Sequence, residues 1–297
     1  MGNMAIYIQA GINGLMQGAI YATIAVGFAL IYNILKFSNF SHSGVLVVTA
    51  YTGCVIQSTF NTNFVLTLIL TALFGGLLAL GVEYISFRRL RKRKANVMLY
   101  FVSSITMGML LENIITLIFG NAFISYPVFF TPAFIRWNGM VFIVSDLIVL
   151  AMSLVTLTIL WFVLQKTRLG VAVRALSMDA STTGLMGVNV TLVIMATFFV
   201  SGALGGVSGM FLGMNYSLYP KLGTLVTKGF ISAIIGGLGS ISGAVIAAFL
   251  LGMLEVILVW IDGIGSSWSP VVIFLVMIVF LILRPQGIAG KLIREKV

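Results

Sequence analysis

Charge is what this sequence most lacks. Only 8% of its 297 residues are charged, and seven of them are acidic. There is one histidine, His42, and one cysteine, Cys54. A lone cysteine excludes an internal disulfide and a thiolate metal cluster. A single histidine with no second ligand type beside it argues against catalytic zinc, and it supports no serine–histidine–acid arrangement. No GxxxxGK[ST] loop occurs, so the chain does not cradle ATP by that route. There is neither a basic n-region nor a small-residue cleavage site at the N-terminus. Ile6 stands where a myristoylation signal wants Ser or Thr. The first apolar span is therefore expected to be an uncleaved anchor.

What is present is apolar. Hydrophobic residues make up 60% of the chain, whereas an ordinary soluble domain is about 25% charged. One water-facing core cannot absorb that surface, so the solvent must be lipid. The 32 glycines fit this, because small residues let transmembrane helices approach closely. The net charge of +10 does not indicate nucleic acid, since the basic residues sit at the ends of apolar spans.

A helix needs about 20 apolar residues to cross the hydrocarbon core. Spans are expected near 8–34, 43–60, 64–87, 97–119, 140–164, 191–214, 243–261 and 270–284. Three basic clusters orient them: "RRLRKRK" (Arg88–Lys94), then Lys166, Arg168 and Arg174, then Arg284, Lys291, Arg294 and Lys296. With the N-terminus outside, these and Lys36 fall in the cytoplasm, and of 17 basic residues only Arg136, Lys221 and Lys228 stay out. The expected fold is an all-α polytopic membrane bundle of about eight spans, forming one transmembrane domain over 1–297 with a cytoplasmic C-terminus.

This orientation requires residues 228–261 to begin and end outside. Since 243–261 can cross once, 228–239 must descend as a re-entrant or broken half-helix and turn at "GGLGSISGA" (Gly236–Ala244). Non-helical backbone at membrane depth is tolerated only against protein or a water-filled cavity, and broken helices line substrate sites in transporters. Gly236, Gly237, Gly239 and Gly243 are thus candidates for a translocation path or gate; the alternative is a glycine-rich packing corner. The deepest charges are Glu112 and Glu255, with Lys228 at a depth similar to Glu255. Intramembrane charges pair or act, so the choice for Lys228–Glu255 lies between an ion pair locking two limbs and direct handling of substrate or protons. Gly202, Gly205, Gly206, Gly209 and Gly213 form a ridge with GxxxG spacing, suited to packing within the bundle or against a second subunit.

Between greasy blocks lies "KTRLGVAVRALSMDASTTGLMGVNV" (Lys166–Val190). Ser177 is the expected N-cap of a short helix from about Met178 to Met186, with Asp179 in its first turn and Gly187 at C′. Met178, Leu185 and Met186 share one face. So short a helix is marginal alone and needs a surface to pack on. The polar face of Asp179, Ser181 and Thr183 lacks the basic residues of a membrane-surface helix, which favours a protein partner over lipid headgroups.

Four ordered motifs bear a family resemblance: "GLMQGAIYATIAVGFALIYNILKFSNFSHSGVLVVTAY" (Gly14–Tyr51) with Asn39–His42, "TRLGVAVRALSMDASTTGLMGVNV", "KGFISAIIGGLGSISGAVIAAFLLGMLE" (Lys228–Glu255) and "RPQGIAG" (Arg284–Gly290). Across nearly its whole length the chain resembles the permease subunit of bacterial ABC importers for branched-chain amino acids. It departs at Ser242, where the family usually has proline, and after His42, where Ser43 and Gly44 stand for Gly and an acid. The resemblance implies a second, related permease chain, two ATPase subunits that hold ATP and magnesium, an extracytoplasmic solute-binding protein and a place in the bacterial cytoplasmic membrane, with membrane lipid around the chain. On this resemblance the chain itself is expected to bind no cofactor and to be no enzyme. The 166–190 loop then becomes the coupling element, with Arg174, Asp179, Gly184 and Gly187 as coupling residues or, more simply, capping and topology residues. Asn39 and His42 become inner-gate or loop-ordering residues; the simpler reading is a helix cap by Ser41 or Ser43. Urea, short amides or other amino acids stay open as substrates, as does an ion-gradient-driven transporter. A scaffold role fits poorly with a broken backbone in the bilayer.

Overall fold

The computed structural model describes residues 3–130, 134–137, 140–260 and 265–290. The basic residues Lys291, Arg294 and Lys296, and the acids Asp262 and Glu295, lie outside these. In chain order the helices begin with α1 (Asn3–Leu35), α2 (Ser41–Phe60) and α3 (Phe64–Val82), which runs through a π turn (Glu83–Phe87) into α4 (Arg88–Lys92), and α5 (Val97–Phe119). A hairpin of β1 (Phe134–Trp137) and β2 (Met140–Ile143) leads into α6 (Val144–Lys166), α7 (Arg168–Met178), α8 (Ala180–Leu185) and α9 (Val190–Tyr216). A 3-10 turn (Pro220–Leu225) precedes α10 (Val226–Gly236), α11 (Ile241–Trp260) and α12 (Gly265–Leu283).

Asparagine sets many of the breaks between these apolar rods. The side chains of Asn63, Asn96 and Asn189 accept amide hydrogen bonds from Leu66, Met98 and Leu192, satisfying donors that a helix start leaves open. Among the described residues, seven helices are long and apolar enough to cross a membrane. The eighth expected span corresponds to α12, whose 19 residues reach about 28 Å at 1.5 Å per residue, close to the ~30 Å core. The fifth span starts at Val144 rather than 140, because residues 140–143 pair as β2 with β1 in register Phe134↔Ile143.

The chain divides into two compact units. One comprises Leu30–Phe129 and Leu154–Val226; the other Met1–Ala29, Phe130–Ser153 and Thr227–Val297. In the first, α9 is the central helix and its glycine ridge is used up against α2 and α3. A Cβ on Gly202 or Gly206 would collide with the backbone of Gly75 or Thr71, and one on Gly209 would lie 2.7 Å from Thr49 Oγ1. Thr49 Oγ1 donates to the Gly205 carbonyl at 3.2 Å. Close approach through small residues is how membrane helices gain packing where no hydrophobic drive separates them from lipid. In the second unit, Gly14 and Gly18 of α1 meet α11 at Met253 and Phe249, and Gly229 of α10 meets Ile24.

Candidate functional site: coupling loop, glycine turn and membrane charges

The polar loop folds as two helices where one was expected. Thr167 caps α7, its Oγ1 accepting from the Gly170 amide at 3.3 Å. Gly170 packs so closely on Leu164 that a Cβ would lie 2.7 Å from the Leu164 Cα, and Arg174 donates from Nη1 to the Leu164 carbonyl. Both contacts fold α7 back on the end of α6. As a result Ser177 lies within α7 and bonds back to the Arg174 carbonyl at 2.7 Å, and it caps nothing. The cap is Asp179, extended at φ −157°, whose Oδ1 accepts from the Ser181 amide and hydroxyl, both at 2.8 Å, while Oδ2 accepts from Thr182. Gly187 closes α8 at φ +82° with its amide on the Gly184 carbonyl at 3.1 Å. Gly184 has room: a Cβ there would meet only Val190, at 3.7 Å. Met178, Leu185 and Met186 are 89%, 88% and 80% exposed, so the loop ends in an uncovered apolar tip.

The hydrogen bonds from Thr182 and then Ser181 hold the Asp179 carboxyl down at about 2, against an ordinary 3.8. A depressed pKa contributes stability above the unfolded value, and that stability is lost as pH falls through the folded one. The α8 cap is therefore expected to hold unchanged from neutral pH to about 4 and to open between about 4 and 2. Amide exchange at Ser181 and Thr182 measures this. Asp179→Ala should abolish their protection at every pH, and Asp179→Asn should keep it, because Asn caps as well as Asp.

At the start of α2, Asn39 Oδ1 accepts from the Ser41 amide at 3.2 Å and the Ser41 hydroxyl at 2.6 Å. The cap is thus Asn39, and Ser43 instead donates to the Phe40 carbonyl. His42 is buried, 2% exposed, with its ring edge 3.2 Å from where a Cβ on Gly205 would be. Asn39 thus sits at the α1–α2 corner, and His42 packs against α9 at Gly205. Glu112, in the same unit, faces the Gly223 backbone of the 3-10 turn, where a Cβ would run into its Oε1.

In the other unit, Lys228 and Glu255 form an ion pair, each side chain about 15% exposed. Tyr21 donates to the second carboxylate oxygen at 2.6 Å, and the Lys228 ammonium stands 5.6 Å from the Tyr21 ring centroid. Tyr21 was not foreseen. The glycine turn also has a partner that spacing could not show. Gly237 and Gly239 adopt φ +102° and +92°, and a Cβ on Gly236 would collide with Gly243. The segment after α12 then straps the turn: Ile288 N donates to Ile235 O at 2.8 Å and Ala289 N to Gly236 O at 3.0 Å. The Pro–Gln–Gly run of the last motif was the signal for a turn there.

Long apolar helices, a glycine turn strapped by the segment after α12 and an exposed loop built on fixed caps are the make-up of a polytopic membrane permease. The chain belongs to the family of permease components of the branched-chain amino acid transport system, whose model matches residues 11–281. It is 30% identical to the high-affinity branched-chain amino acid transport permease BraD of Pseudomonas aeruginosa, over 98% of both chains. It is 28% identical to LivH of Escherichia coli K12, of the same description, again over 98% of each. In fold it resembles a solved structure described as PsaBC from Streptococcus pneumoniae in complex with Fab, with TM-score 0.51, 13% identity, and 92% and 91% of the two chains covered.

Proposed function

We propose that this chain is one permease subunit of an ATP-driven importer for branched-chain or other hydrophobic amino acids. It acts as a single domain over residues 1–297, with the N-terminus outside and the C-terminus in the cytoplasm. Relatives matched from end to end carry the reading. The Met178–Leu185–Met186 tip supports it, because so short a helix with an uncovered apolar face needs a protein groove. Two ATPase subunits, which hold ATP and magnesium, would supply that groove. A second, related permease chain and an extracytoplasmic solute-binding protein would complete the complex. Arg174 and Gly170 clamp α7 to α6, so a push on the tip is delivered to a span rather than dissipated in a loose loop. The path or gate would run by the Gly236–Gly243 turn, with Asn39 and His42 holding the inner corner and Glu112 the 3-10 turn. Closure of the motor would shift the permease between inward- and outward-facing populations.

The test is uptake of labelled leucine into proteoliposomes holding this chain with its genomic neighbours, the ATPases, second permease and binding protein. Uptake is expected to require ATP, to survive an uncoupler, and to fall to background when residues 177–187 are scrambled. Uptake that persists without ATP and collapses with the uncoupler would put an ion gradient in place of the motor. Uptake of urea or short amides with leucine excluded would correct the substrate.

A further inference from the structure

Two hollows at the end of α3 share one residue, Arg88. The larger, about 740 Å³, lies between that end, Leu169 of α7 and the first turns of α9. Its walls are chiefly apolar, with Leu80, Leu192, Met195 and Phe199 among them. The smaller, about 380 Å³, is cut into Tyr84, Arg88, Arg89 and Lys92. The Arg88 guanidinium lies over the Tyr84 ring, 5.4 Å from its centroid, which holds it at the junction. Asn189 and Thr191 on the rim bring the positive end of the α9 dipole to the same place.

The charge here is unbalanced. The one carboxylate on this stretch, Glu83, is fully buried and engaged by Arg91 at 2.7 Å. Among the described residues Arg88, Arg89 and Lys92 have no acidic partner. The apolar hollow continues a face that is itself uncovered, since Leu66, Ile69, Leu73 and Leu77 of α3 are all exposed. The π turn joins the two hollows. In an unbroken α-helix Arg88 would lie about 80° around the axis from Leu80. The one residue inserted by a π turn brings it back to about 20°. The basic cup therefore sits directly at the end of the apolar stripe, and π turns concentrate at functional positions.

We infer that the paired hollows bind one anionic phospholipid, its acyl chains along Leu80, Met195 and Phe199 and its phosphate against Arg88, Arg89 and Lys92. An arginine fork matches phosphate oxygens in pairs, and basic pockets between spans are suited to anionic headgroups. Leu169 of α7 forms part of the wall, so a bound lipid also touches the first helix of the coupling loop.

Bound lipid can be counted by native mass spectrometry on the full chain, stripped in detergent and offered phosphatidylglycerol and phosphatidylcholine of matched chains. One phosphatidylglycerol per chain should be retained in preference. Each basic residue at an anionic surface contributes roughly 5-fold, so Arg88→Gln with Lys92→Gln should weaken retention about 25-fold. Arg93→Gln with Lys94→Gln makes the same charge change outside the hollows and should leave it near wild type. Ala196→Trp, which fills the apolar hollow without altering charge, should also expel the lipid; unfolding curves check that each variant is folded. Equal binding of phosphatidylcholine, equal loss in the two charge pairs, or full retention in Ala196→Trp would each overturn the site. Untouched lipid retention in the Arg88/Lys92 variant, together with loss of a copurifying ATPase subunit, would assign the hollow to protein instead.

Discussion

Lys228→Met alone is expected to destabilise the chain by about 3 kcal/mol, and Glu255→Leu alone by a similar amount, because breaking a buried pair leaves an uncompensated charge. The two together should recover most of that loss, since a buried ion pair and apolar groups of similar volume are often equivalent. Recovery should be incomplete for a stated reason. Tyr21 donates to Glu255 at 2.6 Å, and a hydroxyl stripped of its acceptor costs about 1–3 kcal/mol. Adding Tyr21→Phe should remove that residue of the loss. Equilibrium unfolding of the purified chain in micelles, followed by circular dichroism, measures all four variants. Leucine uptake separates the two roles left open for these charges. If the pair only locks α10 to α11, the triple variant transports. If it handles substrate or protons, the triple variant is stable and inactive, and the lock is not its purpose.

The pairing of these charges could be read in advance because lipid makes the argument short: an intramembrane charge needs a partner, and one cation stood at the right depth. Span positions were readable for the same reason. Where several polar residues compete in water, the reading failed. Ser177 and Asp179 are both good N-caps, two positions apart. What chose Asp179 was tertiary: Thr167 and Arg174 fix α7 on α6 and carry it through Ser177 to Met178. The hairpin at 134–143 was a different failure. Asn138–Gly139, between short runs of β-branched and aromatic residues, is a local hairpin signal, but an apolar β2 counts as membrane span when hydropathy alone is weighed. The strap of Ile288 and Ala289 on the glycine turn left no trace in side-chain pattern, because its bonds run from backbone to backbone.

That strap makes a large single-residue effect predictable. Gly237→Ala is expected to cost about 4 kcal/mol, the sum of a disallowed backbone conformation and an unrelieved collision. At φ +102° an L side chain is strained whatever the space, and a Cβ would lie 2.7 Å from Gly290 N and 2.9 Å from Gln286 O. Both are backbone atoms that cannot rotate away. Pushing the strap off also breaks the bonds to the Ile235 and Gly236 carbonyls, and a buried carbonyl left without its donor adds to the loss. Gly81→Ala is the control: it is a helical glycine with nothing within 4 Å of a Cβ, so alanine there should be neutral or stabilising by up to about 1 kcal/mol. Thermal unfolding of the two variants by fluorescence-detected size exclusion should separate them widely. Removing residues 284–297 should resemble Gly237→Ala, since it deletes the strap itself. If Gly237→Ala unfolds together with Gly81→Ala, the turn does not depend on its strap, and the four glycines must be explained by what passes beside them rather than by what packs against them.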